Sequence, residues 1–396
     1  MSENKISKRE FLKYSLYGLG GTALGFSYLG CLGKAGNSKE AALDTITTET
    51  PEVAEIEELW KWSKEAMFST VTPRGAKCGI CPNNCTLKLN EVSICRNRVN
   101  YKNKLYSIGY GNPCSANIDP VEKKPLFHFL PQSRAYSIAV AGCNFVCLNC
   151  QNWTISQSSP KETRNYDLFP AKVVENAQKT SCKSIAFTYS EPVTFYEYMY
   201  DTARLAKAEG IKNLMISNGY INEKPLRELC KYIDAANIDL KSFKNDIYLK
   251  LNAGTLKPVL DTLKTLKEEN VWVEITNLII PTWNDDFDMI KEMCKWLVDN
   301  GLDVFPIHFS RFYPTYKLTK LPSTPASTLK KAHDIALEAG MKYVYIGNMP
   351  GSNAENTNCP NCGKTVIQRK GYRVLTNNLQ NGKCKFCSTK IHGVWS

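Results

Sequence analysis

Cysteines are the residues of this sequence whose number and spacing point most directly to chemistry. The 396-residue chain contains 16 of them, and most fall into three tight groups. These groups are Cys78, Cys81, Cys85 and Cys95, then Cys143, Cys147 and Cys150, and finally Cys359, Cys362, Cys384 and Cys387. In a chain of this length, closely spaced cysteines are typical of metal sites rather than of disulfides. The sequence therefore predicts three sites at which reduced thiolates bind metal.

The central group has the pattern C-x3-C-x2-C and directly follows a β-rich run at residues 137–142. An iron–sulfur cube is closed by four thiolates, so three thiolates from one loop leave one iron without a protein ligand. An open coordination position distinguishes a catalytic metal centre from a structural one. The pattern therefore predicts a catalytic iron–sulfur cluster on Cys143, Cys147 and Cys150. The alternative is a zinc site completed by a distant fourth ligand.

A regular alternation of strands and helices begins at Tyr136 and is expected to position this loop. Short β-rich runs lie at 137–142, 184–190, 213–219, 236–242, 272–280, 304–310 and 343–348, and helix-like stretches include Val193–Glu209, Leu256–Glu269 and Met289–Asn300. Repeated strand–helix units predict an α/β fold with a parallel sheet covered by helices. We expect a partial (β/α)6-type TIM barrel, whose active site lies at the carboxyl ends of the strands. An open, doubly wound sheet is the alternative.

Three sequence segments together resemble a known family. They are DPVEKKPLFHFLP (119–131), SIAVAGCNFVCLNCQNWTISQ (137–157) and TYSEP (188–192). The segments resemble the radical S-adenosylmethionine (radical SAM) superfamily, in particular its pyruvate-formate-lyase-activating-enzyme-like branch. Within that branch, the sequence is most similar to the radical SAM member of the AmmeMemoRadiSam system. The resemblance extends from about Glu65 to Ser396.

The resemblance implies a mechanism and a set of cofactors. A [4Fe-4S] cluster on the three central cysteines would bind S-adenosylmethionine (SAM) through its open iron. One electron, from a flavodoxin- or ferredoxin-type donor, would then cleave SAM to methionine and a 5′-deoxyadenosyl radical. That radical would abstract hydrogen from a substrate, which the sequence does not identify and which could be a protein. The cofactor supplies the difficult chemistry, and the chain orients it and excludes solvent.

The resemblance also implies residues that bind SAM. Glu191 matches the acidic residue that meets the SAM amino group, since a carboxylate suits an ammonium. The remaining candidates are Ser217 and Asn218 near the ribose and carboxylate, Asp239 and Lys241 at the fourth strand end, and His308 at a later strand end. Ser, Asn and Asp at such positions also cap helices, and a lone His is often only a packed residue. Asn149 stands where many members of the superfamily have an aromatic residue that touches adenine.

The two flanking cysteine groups predict separate metal sites. Cys359, Cys362, Cys384 and Cys387 form two C-x-x-C pairs separated by 21 residues, which indicates a zinc-ribbon-like module with structural zinc. A second iron–sulfur cluster is the alternative there. The amino-terminal group at Cys78, Cys81, Cys85 and Cys95 could hold zinc, which would brace the module, or an auxiliary cluster, which could relay electrons. Zinc is the preferred interpretation, although the spacing does not decide.

Composition shifts divide the chain into five predicted segments. They are an export-type leader or anchor (1–33), a linker and helix (34–68), a Cys-rich extension (69–133), a radical SAM barrel (134–350) and a zinc-ribbon-like module (351–396). The helix is expected over Val53–Phe68, where apolar residues recur at helical spacing. The leader resembles a twin-arginine signal in which Lys8 replaces the first arginine, and Cys31 is a candidate for lipidation. Because SAM and low-potential electrons are cytoplasmic, the location stays open between the cytoplasm and the inner face of a membrane.

The overall composition excludes several classes of protein. A hydrophobic content of 43% with 11% aromatic residues excludes a disordered or fibrous chain, and a protein with many membrane spans is excluded too. The 50 Lys and Arg exceed the 38 Asp and Glu, but the basic residues are dispersed rather than clustered with aromatics. Nucleic acid is therefore not expected as a partner. Two rivals remain, an activase that installs a glycyl radical on a partner enzyme and a non-catalytic metal-binding scaffold or RNA-binding protein.

Overall fold

A computed structural model describes residues 58–349 and 352–396 of the protein. The predicted leader, the linker segment 34–57 and Cys31 lie outside the described residues. In the described part of the chain, no helix is both long enough and apolar enough to cross a bilayer.

The described chain opens with two small antiparallel sheets. One has the order β1–β6–β5 and the other β2–β3–β4. Their strands are β1 (Lys64–Glu65), β2 (Ser69–Thr72), β3 (Gly75–Cys78), β4 (Thr86–Leu87), β5 (Arg98–Tyr101) and β6 (Lys104–Ser107). The helix predicted over Val53–Phe68 is wrong for residues 58–68, which contain turns and strand β1 instead. Pairing of β1 with Tyr106 and Ser107 outweighs the local helical pattern there.

An eight-stranded sheet forms the centre of the fold, with seven parallel strands and one antiparallel edge strand. Its strands are β7 (Ser115–Pro120), β8 (Arg134–Ala139), β9 (Ser184–Phe187), β10 (Lys212–Ser217), β11 (Ala235–Asp239), β12 (Trp272–Ile279), β13 (Ile307–Arg311) and β14 (Val344–Gly347). Each predicted β-rich run overlaps one of the strands β8–β14. Their spatial order follows the chain order, and these strands show none of the reversal that marks a doubly wound sheet. The prediction of an α/β fold with a large parallel sheet is confirmed.

Helices connect the parallel strands. They are α1 (Trp153–Ser156), α2 (Pro170–Lys179), α3 (Tyr196–Ala208), α4 (Glu223–Cys230), α5 (Asn245–Ile247), α6 (Leu256–Glu268), α7 (Phe287–Asp299) and α8 (Ala326–Glu338). Short 3-10 helices lie at Val121–Lys123, Pro160–Glu162, Pro192–Phe195 and Asn353–Glu355, and a π-helical turn at Tyr248–Asn252 follows α5. In α6, Val259, Leu263 and Leu266 are buried at spacings of three and four residues, which places them on one face. Strand β9 is buried along its whole length, as expected for a strand covered on both faces.

The carboxy-terminal segment forms two small antiparallel sheets, β15–β16–β17 and β18–β19. Their strands are β15 (Thr357–Asn358), β16 (Thr365–Lys370), β17 (Arg373–Asn377), β18 (Leu379–Gln380) and β19 (Lys383–Cys384). This segment packs on the residues that precede β8, because Arg369 donates a hydrogen bond to the Phe127 carbonyl at 2.7 Å. A β-bridge joins Val394 to Phe129 at the same place. The positions of the domain boundaries stay predictions.

Candidate active site

The central cysteine loop, residues 143–150, follows β8 at the carboxyl end of the strand. Gly142 enters the loop with φ +112°, and a Cβ atom there would lie 2.5 Å from the carbonyl oxygen of Cys95. Only glycine fits this position without strain, because it tolerates the backbone angle and has no side chain. The entry to the loop is therefore fixed by its contact with the Cys-rich extension.

The backbone of the loop is held by the π-helical turn. The amides of Val146 and Leu148 donate to the carbonyls of Asn252 and Leu251 at 3.0 and 2.9 Å. The ring of Phe145 packs so closely on Gly254 that a Cβ there would lie 2.2 Å from it. π-helical turns are frequently found at functional sites, and this one shapes the cysteine loop.

The three thiols of the loop are largely shielded from water, and burial raises the pKa of each. Buried thiols of this kind need a compensating positive charge, such as a metal, to become thiolates. The three sulfur atoms do not all lie within 4.8 Å of one another. The ligand atoms of a single metal ion would do so. Thiolates that bind different irons of one cluster are held farther apart, so the geometry fits a cluster better than one zinc ion.

Glu191, Ser217 and Asn218 lie together beside Cys143. The carboxylate of Glu191 accepts hydrogen bonds from the Ser217 hydroxyl at 2.7 Å, the Asn218 amide at 2.8 Å and the Val193 amide at 3.1 Å. Burial raises the pKa of Glu191 to about 7, although these hydrogen bonds act in the opposite direction. A carboxylate near its ionisation point in a buried site is a candidate functional group.

Asp239 and Lys241 lie together near Cys147 and Cys150. The Lys241 ammonium donates to the Asp239 carboxylate at 2.9 Å. Burial lowers the pKa of Lys241, but the negative charges of Asp239 and Cys147 outweigh burial, so the pKa of Lys241 is raised. Lys241 in turn favours the thiolate forms of Cys147 and Cys150, whose pKa values it lowers against the effect of burial. The structure thus brings the acidic Glu191 near Cys143 and the basic Lys241 near Cys147 and Cys150.

His308 is placed elsewhere, in contrast to the expectation from sequence. Strand β13 begins at Ile307, so His308 lies near the start of the strand rather than at its carboxyl end. Its Nε2 atom donates to the buried carboxylate of Glu274 at 2.7 Å, and its ring packs on Phe127 and Tyr345. The β-rich run in the sequence begins at residue 304, three residues before the strand itself. The sequence therefore placed His308 nearer the carboxyl end of the strand than it lies. These contacts give His308 a packing role and do not bring it to Glu191 or Lys241.

A cavity of about 460 Å³ opens beside the cysteine loop. Asn149 and Gln151 line one side, and Leu278, Arg311 and Asn348, from the carboxyl ends of β12, β13 and β14, line another. The side-chain oxygen of Asn149 is buried and has no hydrogen-bond partner within the protein. An unpartnered buried acceptor is costly, so a ligand that donates a hydrogen bond would be stabilised here.

Two asparagines of the site were not predicted from sequence. Asn144 accepts a hydrogen bond from the Asn218 side chain at 2.8 Å and donates to the Tyr220 carbonyl at 2.9 Å. Asn252 donates to the sulfur of Cys147 at 3.1 Å. Asn144 follows the first cysteine of the motif directly, a position that could have indicated it. Asn252 is 105 residues away from Cys147 and carries no such signal.

The carboxy-terminal cysteines Cys359, Cys362, Cys384 and Cys387 converge. Their sulfurs all lie within 4.8 Å of one another, with Cys359 and Cys387 3.6 Å apart and Cys362 and Cys384 3.8 Å apart. This is the only such group of Cys, His or acidic side chains within residues 58–349 and 352–396. Two of the amino-terminal cysteines are also neighbours, since Cys78 donates its amide hydrogen to the Cys85 carbonyl at 2.9 Å.

Comparison with known proteins identifies relatives across nearly the whole described chain. The profile of the Radical SAM superfamily matches residues 137–297. The chain is 46% identical over 331 residues to the uncharacterized protein MJ0808 of Methanocaldococcus jannaschii, covering 83% of this chain and 98% of that protein. It is 25% identical over 218 residues to the pyruvate formate-lyase 1-activating enzyme of Escherichia coli K12, covering 52% of this chain and 89% of that enzyme.

The similar solved structures are less alike in sequence. A domain of the pyruvate-formate lyase-activating enzyme from Bacteroides vulgatus is 16% identical with a TM-score of 0.36, covering 42% of this chain and 99% of that domain. A radical SAM methyltransferase from Sphaerobacter thermophilus is 13% identical with a TM-score of 0.43, covering 55% of this chain and 67% of that one. The profile match spans the cysteine loop and strands β9–β12. With the sequence relatives, it shows that the chain belongs to the radical SAM superfamily and is homologous to pyruvate formate-lyase-activating enzymes.

Proposed function

We propose that this protein is a radical SAM enzyme whose catalytic cluster is bound by Cys143, Cys147 and Cys150. The bound [4Fe-4S] cluster and SAM supply a 5′-deoxyadenosyl radical that abstracts hydrogen from a substrate. The observation that carries the proposal is the convergence of three thiols, an acidic residue and a lysine at the carboxyl end of the parallel sheet. Membership of the superfamily supports the same chemistry, because it implies a [4Fe-4S] cluster and SAM.

The flanking residues suit the two charged groups of the amino-acid part of SAM. Glu191 already accepts three hydrogen bonds, and a carboxylate has about four acceptor positions. One position is thus free for an ammonium group. Lys241, held by Asp239 near Cys147 and Cys150, can meet a carboxylate. These two side chains would orient the amino acid on the open iron.

Asn149 and the cavity next to it suit the remaining parts of the complex. The free side-chain oxygen of Asn149 can accept a hydrogen bond from an exocyclic amino group such as that of adenine. This role would replace the aromatic contact expected at the same position in many relatives. The cavity beside Arg311 and Tyr313 would receive the substrate, with its walls excluding water from the reacting atoms.

The experiment is anaerobic reconstitution with iron and sulfide, reduction in the presence of SAM, and assay for 5′-deoxyadenosine. We expect product from the wild-type protein, and none from the variant with Cys143, Cys147 and Cys150 all replaced by Ala. Product from the triple variant would overturn the site. A reduced cluster that is verified spectroscopically but never yields product would favour the metal-binding scaffold instead.

A second candidate is an activase that installs a glycyl radical on a partner enzyme. The similarity to the pyruvate formate-lyase 1-activating enzyme of Escherichia coli favours it, because it covers 89% of that enzyme. In that case the hydrogen donor is a glycine Cα–H of a protein substrate. Electron paramagnetic resonance of a reaction with a glycyl-radical enzyme would detect a stable glycyl radical. Absence of the radical while 5′-deoxyadenosine forms would remove this candidate.

Several narrower assignments form part of the proposal. They are membership of the AmmeMemoRadiSam branch, curvature of the sheet into a partial TIM barrel, and a flavodoxin- or ferredoxin-type electron donor. The short sulfur distances of the carboxy-terminal cysteines support structural zinc in a ribbon-like module. For the location, we propose the cytoplasm or the inner face of a membrane, where SAM and low-potential electrons are present.

A further inference from the structure

The amino-terminal cysteine group consists of Cys78, Cys81, Cys85 and Cys95, which two adjoining loops bring together. Cys78 ends β3, the next two cysteines lie in the turn between β3 and β4, and Cys95 precedes β5. Cys78 donates its amide hydrogen to the Cys85 carbonyl at 2.9 Å, and Asn84 donates its amide hydrogen to the Cys81 carbonyl at 3.0 Å, so these three cysteines share one tight turn. Asn100 of β5 donates to the Leu87 carbonyl of β4 at 2.8 Å, which holds the loop that carries Cys95 beside this turn. Cys78 and Cys95 are buried, and Cys81 and Cys85 are partly buried. Four shielded thiols in adjoining loops indicate a metal site with four ligands.

The spacing of the four sulfurs distinguishes a single ion from a cluster. Two thiolates on one tetrahedral zinc lie about 3.8 Å apart, because each Zn–S bond is about 2.3 Å long. The carboxy-terminal cysteines meet this condition, with distances of 3.6 and 3.8 Å. In the described chain, no three sulfurs of the amino-terminal group lie within 4.8 Å of one another. The same holds for Cys143, Cys147 and Cys150, so in both groups the sulfurs are not drawn together as those of the carboxy-terminal group are.

The buried guanidinium of Arg98 lies beside the amino-terminal cysteine group and would stabilise a negatively charged metal centre there. Arg98 is almost fully buried, and its Nη1 atom donates to Glu197 at 2.6 Å. Its Nη2 atom is buried and has no hydrogen-bond partner within the protein. The Arg98 amide donates to the Ser93 hydroxyl at 3.2 Å, and this hydroxyl contacts the Cys95 sulfur at 3.1 Å, so Arg98 is tied to the cysteine group. A free donor at this place can bind thiolate or sulfide sulfur.

The group also lies directly against the catalytic loop. The carbonyl oxygen of Cys95 abuts Gly142, the residue before Cys143. Asn97 donates to the carbonyl of Ala141 at 2.7 Å, and Asn83 donates to the carbonyl of Asn144 at 3.0 Å. Both ends of the amino-terminal group are therefore fixed to the segment that carries the first catalytic cysteine.

We propose that Cys78, Cys81, Cys85 and Cys95 bind an auxiliary [4Fe-4S] cluster next to the catalytic one. With four thiolates, every iron of this cluster has a protein ligand. It therefore has no open position and does not bind SAM. The sequence alone favoured zinc at this group, and the sulfur spacing argues for the cluster instead. The proposal concerns bound iron and sulfide, so it does not depend on the radical chemistry proposed above.

The test is iron, sulfide and zinc analysis of anaerobically reconstituted full-length protein. We expect about eight irons per chain in the wild type, four for each cluster, and one zinc at the carboxy-terminal cysteines. The variant lacking Cys143, Cys147 and Cys150 should retain about four irons. Its electron paramagnetic resonance spectrum after reduction should be unchanged by SAM. Replacing Cys81 and Cys85 by Ala in that background should remove the remaining iron, whereas Cys182→Ala, at a buried lone cysteine, should retain it.

Two results would overturn the proposal. One is a triple variant that holds no cluster but a second zinc ion, which would make the amino-terminal group a zinc site. The other is a wild-type protein that binds only about four irons per chain, in a single cluster whose electron paramagnetic resonance spectrum changes on addition of SAM. If the triple variant does not fold, the wild-type protein decides, because it should hold about eight irons in two clusters of which only one responds to SAM. A wild type with eight irons but no 5′-deoxyadenosine would contradict the proposed function and leave the auxiliary cluster standing.

Discussion

The carboxylate of Glu191 accepts a hydrogen bond from the hydroxyl of Ser217 at 2.7 Å, across the carboxyl ends of two neighbouring strands. The contact links the loop after β9 to the last residue of β10. Cys143 lies close enough for the charge of Glu191 to raise its pKa further, after burial. The protonation state of Glu191 therefore affects both the proposed SAM site and the thiol beside it.

We expect SAM binding to depend on pH through Glu191. Burial raises the pKa of this carboxyl to about 7, and the charge of Asp239 adds to the effect. Only the ionised form attracts an ammonium group, so affinity should fall about tenfold per pH unit below 7. Calorimetric titration of reconstituted protein between pH 5.5 and pH 8.5 measures this. Glu191→Gln should bind weakly at every pH, and a wild-type affinity that is constant over this range would contradict the prediction.

Ionisation of Glu191, which should favour SAM binding, should lower the stability of the folded protein. Its pKa is raised on folding, so its contribution is complete below the ordinary value of 4.5 and is lost as the pH rises through about 7. Without SAM, the free energy of unfolding of the wild type should fall over this interval. The free energy of unfolding of Glu191→Gln should fall less over the same interval. Urea denaturation at several pH values measures both proteins.

Asn252 should tune the proposed catalytic cluster through its hydrogen bond to Cys147. Hydrogen bonds to cluster sulfur help to set the reduction potential. Asn252→Leu removes the donor, so we expect a more negative potential and about 10- to 100-fold slower formation of 5′-deoxyadenosine. Redox titration followed by electron paramagnetic resonance measures the potential. The control is Lys250→Met on the same turn, whose side chain is 70% exposed and which should leave both quantities unchanged.

The parallel sheet and the cysteine loop could be predicted from sequence because their signals are local. The alternation of β-rich runs and helical stretches predicted all seven parallel strands, since each run must be buried between helices. Likewise, Cys143, Cys147 and Cys150 lie within eight residues, so their convergence needs no knowledge of the fold. Glu191 and Lys241 required the resemblance to a family to be singled out.

The features that were missed depend on contacts between distant segments. The sequence pattern over Val53–Phe68 predicts a helix, but Lys64 and Glu65 pair with β6 as a strand. The position of His308 depends on the residue at which β13 begins, and strand boundaries are the least reliable part of a sequence-based prediction. Asn252 reaches Cys147 only because the π-helical turn packs on the cysteine loop. None of these three contacts is encoded in a short motif.

Loss of one carboxy-terminal cysteine should release zinc and destabilise the protein. Cys359 and Cys384 are buried in a cluster with Phe127, Tyr343 and Tyr345, so the proposed zinc site supports the packing of this segment on the sheet. We expect Cys384→Ser to lose one zinc per chain and more than about 3 kcal/mol of unfolding free energy. Metal analysis and urea denaturation measure the two effects. Lys385→Ala, at the exposed neighbouring residue, should change neither, and a Cys384→Ser protein that keeps its zinc would contradict the assignment.

The buried ion pair between Arg98 and Glu197 should be essential for the stability of the amino-terminal module. Glu197 lies on α3 and also accepts the amide hydrogen of Met67 at 2.9 Å, so it fixes two segments of the module to the central fold. In protein without the auxiliary cluster, Glu197→Gln leaves the charge of Arg98 buried without a counter-ion, which typically costs about 3–5 kcal/mol. The exposed pair between Lys257 and Asp261 provides the control, because Asp261→Asn should cost less than about 1 kcal/mol. Urea denaturation compares the two variants, and equal losses would show that burial of the Arg98 pair has no special effect.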